Sequence, residues 1–541
     1  MSRRKKWLIG CSICVGVAFI ALFIAAKVLS RRFEPYIRAQ AIEYLAKRFD
    51  SHVELTALRV RLPEGSPLRV LFRRGRGAIA RVEGEGLSLR HRNRLDVPPM
   101  LAIRKFTFEV DLGSIFEGPK HVRSVTLYGL EIAVPPKDQR PRFGNSSGET
   151  TASGNAPPVR IDKIDIRDAK LAILPADRAK AALRFDIQSL LLTPAPPGTW
   201  RYDAALTNPK PPGAIRSSGT FGPWSAEEPG DTPIAGDYTF DHADLGVFAG
   251  IAGILHSQGS FEGTLDSLHA HGEATVPDFR LKRAGNRVPL ATQFEVLVDG
   301  TNGNTTLQPV RVTLGSTHFT TSGAVIKHER EQRRSIRLDV TMPGGNLRDI
   351  LRLAMKGTPF MEGQLALKTR IDIPPLSGSV SEKLVLDGRF EIQSGKFLRS
   401  RIQDKIDELS RKGQGQPKNE EIDEVVSGMQ GSFKLDDQVI EFRSLSFSVP
   451  GAAVNLQGSY DLAGDSIDFH GALKLDAKVS QTQTGWKRFV LKPVDPFFAK
   501  NGAGTFLRIK VEGNSGGPKF GLDRGRKEKD KVDVTTAQNL K

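Results

Sequence analysis

Cysteine is nearly missing from this 541-residue chain. There are two, Cys11 and Cys14, and both lie in the first apolar segment. The rest of the chain therefore has neither a disulfide framework nor a cysteine metal site to draw on. Cys11 and Cys14 have the spacing of a redox pair, but inside an apolar run that spacing reads as packing. The signatures of catalysis are missing too: no Gly-x-Ser-x-Gly elbow, no phosphate-binding loop, no His-Glu-x-x-His. His269 and His271 would share one strand face without a further ligand beside them, and read as a surface pair. Acidic residues are scattered as on any wet sheet face. Nothing here argues for an enzyme, and no catalytic residue, cofactor or metal is expected.

What is abundant is positive charge. The formal net charge is +17 and the pI about 9.8, which favours an anionic partner, a membrane surface or nucleic acid. Arg59, Arg61, Arg69, Arg73, Arg74, Arg76, Arg81, Arg90, Arg92 and Arg94 crowd one stretch. Single-stranded nucleic acid would want aromatic residues interleaved for stacking, and only Phe72 is there. The stretch reads as a solvated sheet face close to an anionic bilayer, and nucleic acid is not an expected partner.

Trp7 to Ala26 is an uninterrupted apolar run, extended to Leu29 if Lys27 snorkels. At ~1.5 Å per residue it crosses a hydrocarbon core of about 30 Å. A cleavable signal peptide would have a shorter apolar region and a better cleavage site than Ile24-Ala25-Ala26. Leu8-Ile9-Gly10-Cys11 has the look of a lipoprotein box, yet almost no apolar region precedes its cysteine. The expectation is an uncleaved anchor over 7–29, with residues 1–6 cytoplasmic and the bulk exported. Arg3 to Lys6 precede the span and Lys27, Arg31, Arg32 and Arg38 follow it, so charge alone discriminates weakly. Phe33 to Phe49 then has helical spacing, and would lie in the membrane interface or cap the first sheet.

From His52 the period drops to two. Strands are expected at Leu58–Leu62, Ile103–Leu112 and Val122–Val134, forming with the helix a basic region over 30–134. Residues 135–158, rich in Ser, Gly and Pro, read as a linker or long loop. Residues 194–212 read as an elaborate turn. In the middle region, 159–387, an internal repeat stands out. Asp244-Leu245 opens a helix through Val247, Phe248, Ile251 and Leu255, followed by Phe261-Glu262-Gly263. About a hundred residues on, Asn346-Leu347 opens another through Ile350, Leu351, Leu353 and Met355, followed by Met361-Glu362-Gly363. Strands stop at proline repeatedly: Val134-Pro135, Val276-Pro277, Met342-Pro343, Ile373-Pro374 and Val449-Pro450. Two further helices are expected at 397–411 and 420–429, and a disordered charged tail at 524–541.

The plainest alternation lies in 431–480. Phe433 and Leu435; Ile440 and Phe442; Leu445, Phe447 and Val449; Val454, Leu456 and Tyr460; and Ile467, Phe469, Leu473 and Leu475 each skip a residue. Asp436-Asp437, Pro450-Gly451 and Gly464-Asp465 supply the turns. Strands this close together pair as antiparallel hairpins. The fold class is mainly β: one N-terminal transmembrane helix, then an elongated, curved, largely antiparallel, repeat-built sheet with a few packed helices. Its apolar face needs a cover, whether a second layer, a helix or lipid.

From Gly388-Arg389-Phe390 through Gly431-Ser432-Phe433-Lys434-Leu435, Val449-Pro450-Gly451 and Gly458-Ser459-Tyr460 to Asp495-Pro496-Phe497-Phe498, the chain resembles the AsmA-like family of bacterial envelope proteins. The resemblance is specific over 388–523, about a quarter of the chain, and one of style elsewhere. It implies an inner-membrane anchor, a periplasmic body and a curved sheet whose apolar groove takes phospholipid acyl chains in outer-membrane biogenesis. About 25 strands at ~4.8 Å would make a groove on the order of 120 Å. The candidate groove residues are Phe433, Leu435, Phe442, Leu445, Phe447, Val449, Val454, Leu456, Tyr460, Ile467, Phe469, Leu473 and Leu475. The expected partners are the inner membrane, acyl chains and other envelope proteins. The alternative is a scaffold whose sheet face is filled by its own helices and which binds proteins.

Overall fold

Where apolar and polar side chains alternate in the sequence, the chain is extended. The computed structural model describes residues 51–61, 78–91, 98–111, 120–134, 159–174, 183–195, 198–223, 229–300, 303–327, 334–375, 380–416, 425–477, 504–514 and 516–523, with part of 35–46. The expected anchor at 7–29, the linker at 135–158 and the tail at 524–541 lie outside the described residues. Among the described residues no helix is long and apolar enough to cross a membrane. Twenty-four strands among the described residues join one sheet and two more form a separate ribbon. The chain divides into two compact units, residues 1–243 with 258–268, and residues 244–257 with 269–541.

In the first unit, β1 (Ser51–Arg61), β2 (Ile79–His91), β3 (Leu101–Asp111) and β4 (Lys120–Val134) pair in sequence as antiparallel neighbours. The order then changes. Both β5 (Val159–Ile161) and β6 (Ile164–Ile173) lie parallel to β4, in one register: Lys120 faces Val159 and Val125 faces Ile164. A parallel neighbour needs a connection of about a dozen residues or more, and the sequence from Val134 to Val159 is long enough for one. The ladder resumes antiparallel through β7 (Leu183–Ala195), β8 (Thr199–Pro209), β9 (Pro212–Phe221) and β10 (Pro233–Asp244). The elaborate turn expected at 194–212 is therefore wrong, since β8 fills most of it. Pro194, facing Trp200, and Pro209, facing Pro212, sit near strand ends, where a missing N–H costs least.

Leu55, Leu58, Ile103, Phe106, Leu130, Ile166 and Ala169 form the core of this unit, and Ala41 and Ile42 pack against it. The described residues between 35 and 46 are helical, and Arg38 donates to the Thr56 carbonyl at 3.2 Å. These described residues thus pack against the first sheet. Two of the crowded arginines are paired across strands: Arg61 with Glu83 at 3.0 Å and Arg81 with Glu109 at 2.7 Å. The Arg81 guanidinium, helped by the Ser124 hydroxyl, holds the Glu109 carboxyl below its usual range.

In the second unit the expected repeat is half present. Asp244 and Asn346 cap in the same way, each accepting from the backbone N–H two residues on. Only the second opens a helix, α1 (Leu347–Ala354). After Asp244 there is a single 3-10 turn, Leu245–Val247, then β11 (Ile251–Ala252) and β12 (Ile254–Thr264). Composition explains the difference. Gly246, Gly250 and Gly253 interrupt the first stretch, the last two at φ 91° and 142°, whereas Leu347–Ala354 contains strong helix formers and no glycine. Beyond both, Gly263 and Gly363 have matching backbones at φ 135° and 153°.

The remaining strands are β13 (Ser267–Val276), β14 (Arg280–Leu281, paired with β11), β15 (Leu290–Asp299), β16 (Thr305–Leu314), β17 (Thr317–Lys327), β18 (Arg334–Asn346) and β19 (Met361–Ile373). A four-residue helix, α2 (Val380–Lys383), precedes β20 (Val385–Phe397), and α3 (Ser400–Gly413) follows it. Then come β21 (Ser427–Asp436), β22 (Val439–Val449), β23 (Ala452–Asp461), β24 (Ser466–Leu475), β25 (Thr505–Gly513) and β26 (Lys519–Leu522). From β15 to β26 each strand pairs antiparallel with the next. Two expectations fail here. Ser427–Met429 is already strand rather than the end of a helix from 420, and residues 417–424 lie outside the described residues. Met342-Pro343 does not end its strand either: β18 continues to Asn346 through a bulge between Met342 and Gly345. A bulge leaves a residue outside the ladder, where proline is tolerated.

Candidate functional site

Register decides which side chains share a face, because residues directly opposite one another point the same way. Along β22, Ile440 and Phe442 are even-numbered while Leu445, Phe447 and Val449 are odd. Arg443 and Ser444 together oppose Gln457, a bulge that shifts the parity and keeps all five side chains on one side. Phe433 then faces Phe442, Leu435 faces Ile440, Leu445 faces Leu456 and Phe447 faces Val454. Tyr460 faces Ile467, Val454 faces Leu473, Val449 and Leu475 face Ala452, and Phe469 faces Gly458. All thirteen candidate residues are thus on one face of β21–β24. Leu435, Val449, Phe469 and Leu475 are buried and the other nine are partly exposed.

The face extends beyond the candidates. Phe390 and Ile392 of β20 join it opposite Gly431 and Met429. Leu507, Ile509 and Val511 of β25 join it opposite Leu473, Gly471 and Phe469. Phe520 and Leu522 of β26 end it, 69% and 53% exposed. Alternation of Leu507, Ile509 and Val511 with Arg508, Lys510 and Glu512 was the signal that could have found β25.

Glycine makes an aromatic row possible across this face. Gly458 lies in register between Phe442 and Phe469, whose rings meet above it with centroids 5.6 Å apart. Gly431 faces Phe390 on one side and Leu445 on the other, and Phe390 meets Phe442 edge-on with centroids 6.4 Å apart. Such aromatic pairs are worth about 0.5–1.5 kcal/mol each beyond their buried area. A Cβ on Gly458 would meet the Asp468 carbonyl at 2.1 Å, and its φ of 151° is closed to other residues.

One end of the face is covered. Ile406 and Leu409 of α3 pack on Val449, Ala452 and Leu475, with Val425, Phe447 and Leu473 around them. Buried polar groups hold the helix there. Gln403 accepts from the Phe397 N–H at 3.0 Å and donates to the Val425 carbonyl at 2.9 Å, while Ser410 donates to the Pro450 carbonyl at 2.8 Å. The Gly413 carbonyl accepts from the Ala477 N–H at 2.9 Å. A Cβ on Gly413 would stand 2.3 Å from the Gly451 carbonyl, so the helix end needs glycine to approach the turn.

The opposite face is wet and ion-paired: Arg443 with Asp387 at 3.1 Å, Arg370 with Asp339 at 3.0 Å. The hydrogen bonds that Lys434 and Lys510 donate to Asp436 and Glu512 raise those ammonium pKa values above the ordinary lysine range. His269 and His271 do share a strand face, with rings 6.5 Å apart and Glu295 2.9 Å from His269. The class these observations define is a mainly β protein with a broad one-sided apolar sheet face. No family model, curated protein or solved structure matches the chain.

Proposed function

We propose that this chain is an inner-membrane-anchored, periplasmic protein of the AsmA-like type that holds or passes phospholipid acyl chains along its apolar sheet face, in the building of the outer membrane. The observation that carries the reading is the face itself. It runs across consecutive strands, stays partly wet over β21–β24, and emerges uncovered at Phe520. Nine of the thirteen side chains remain partly exposed, and an apolar occupant that removed this surface from water would be favoured. Among the described residues the face carries aliphatic and aromatic groups and no cation, a surface that takes acyl chains without reading headgroups. Successive bulges and positive-φ glycines are devices that bend a sheet, which favours a groove over a flat layer.

A second reading has a specific observation behind it. Because α3 already fills one end of the face, the rest could serve as a seat for protein in an envelope scaffold. Leu456→Asp separates the two. Leu456 is partly exposed, so a carboxylate there can stay hydrated, whereas one at buried Phe469 would test the core instead. With the full chain purified in detergent, the lipid reading expects phospholipid to co-purify with the parent and to fall several-fold in Leu456→Asp at unchanged melting temperature. A parent free of lipid would move the reading to the scaffold.

A further inference from the structure

On the wet face of β24–β26, behind the apolar one, four side chains able to ligate metal converge. Asp468 and His470 project from the same side of β24, and Asp468 faces Glu512 of β25 in register. One ligand atom from each of these three lies within 4.8 Å of the other two. Asp523, just past β26, approaches from the far side: its carboxylate is 3.2 Å from His470 Nδ1. His470 faces Lys510, and Lys510 faces Gly521, which has no side chain, while Lys519 of β26 faces Glu512.

The geometry points to a divalent transition-metal site formed by Asp468, His470 and Glu512. His470 Nε2 is 3.0 Å from Asp468 Oδ1. Two ligands about 2.0–2.2 Å from one zinc ion, at roughly 90–110°, are separated by about 3.0–3.4 Å. The nitrogen and the oxygen therefore already stand at a chelating distance. In the tautomer that carries its proton on Nδ1, hydrogen-bonded to Asp523, the Nε2 lone pair is available to a metal, the carboxylate–histidine–metal arrangement that fixes a ligating ring. A mixed nitrogen–oxygen donor set suits zinc and its neighbours better than magnesium or calcium, which prefer oxygen alone. All three ligands sit on paired strands or their ends, which fixes their spacing better than a loop would.

Two lysines stand beside the cluster, Lys519 facing Glu512 from β26 and Lys510 ion-paired with it. The Lys510 ammonium lies 2.9 and 2.8 Å from the two Glu512 oxygens. Divalent metal and ammonium compete for Glu512, so Lys510 weakens the site without abolishing it. The site lies on the wet face and does not depend on what occupies the apolar one.

The test is calorimetric titration of zinc chloride into the full chain, stripped of metal and free of a histidine tag. One saturable site is expected, with magnesium chloride giving no heat. His470→Gln and Asp468→Asn lose it, with melting of the metal-free proteins unchanged. Asp523→Asn weakens it about tenfold. Lys510→Gln tightens it several-fold, and His269→Gln leaves it as it was. Absence of saturable zinc binding in the parent, or equal binding in His470→Gln, would overturn the proposal. So would unchanged or weaker binding in Lys510→Gln, because the ammonium would then not compete for the metal's place.

Discussion

Gly458 does two jobs at one position. Its φ of 151° bends β23, and its missing side chain lets Phe442 and Phe469 meet above it. Gly458→Ala should therefore cost on the order of 2–3 kcal/mol, from backbone strain and from parting the rings. A fall in denaturation midpoint at constant slope measures it; a loss under 0.5 kcal/mol would mean that the strand relaxes freely. Glu109 offers a residue-level test in the first unit. Its folded pKa is depressed, chiefly by the hydrogen bond from Arg81, so its contribution is complete above the unfolded value of about 4.3 and is lost as pH falls through the lower folded value. The side chain is 29% exposed, which limits the contribution to about 0.5–1 kcal/mol after screening. Glu109→Gln should lower the urea midpoint at pH 7 and leave parent and variant alike near pH 2. An equal difference at both values would rule out the charge as the cause.

Among the elements, α3 is the one whose position is over-determined. Gln403 is 5% exposed and bonds both the entry to the helix at Phe397 and the return of the chain at Val425. Gln403→Ala leaves a buried N–H and carbonyl without that partner, at about 2–3 kcal/mol, and should speed amide exchange through 400–413 more than in β22–β24. Uniform acceleration across the unit would show that helix and sheet open together. The two stretches after Asp244 and Asn346 show the converse. They share a cap and a following Glu-Gly strand, but three glycines reduce the first to a single turn while the second becomes a helix.

For the whole molecule, the proposed function makes a topological demand as well as a chemical one. A reporter fused after Lys541 should be active on the periplasmic side, with residues 1–6 in the cytoplasm. Basic residues flank 7–29 on both sides, so the inverse arrangement is the competing outcome. A cytoplasmic signal would end the envelope reading while leaving the sheet face and the proposed metal site untouched.

Strand identity was legible because alternation in the sequence is itself the physical cause of a two-faced strand. The thirteen candidate residues could be assigned to greasy faces for that reason alone, without knowing which strands touched. The sequence also determined α1, since its cap and its glycine-free run are local. Register was not legible. Only pairing reveals that Arg443 and Ser444 form a bulge, that Gly458 lies between two phenylalanines, and that β8 threads a proline-rich stretch. Nor could the sequence place a helix: Ile406 and Leu409 advertise an apolar side, but only contacts distant in the chain, to Pro450 and Ala477, decide what it covers. The cluster at Asp468, His470, Glu512 and Asp523 was invisible for the same reason. Its residues, Asp523 included, span more than fifty positions of chain and become neighbours only when β24, β25 and β26 align.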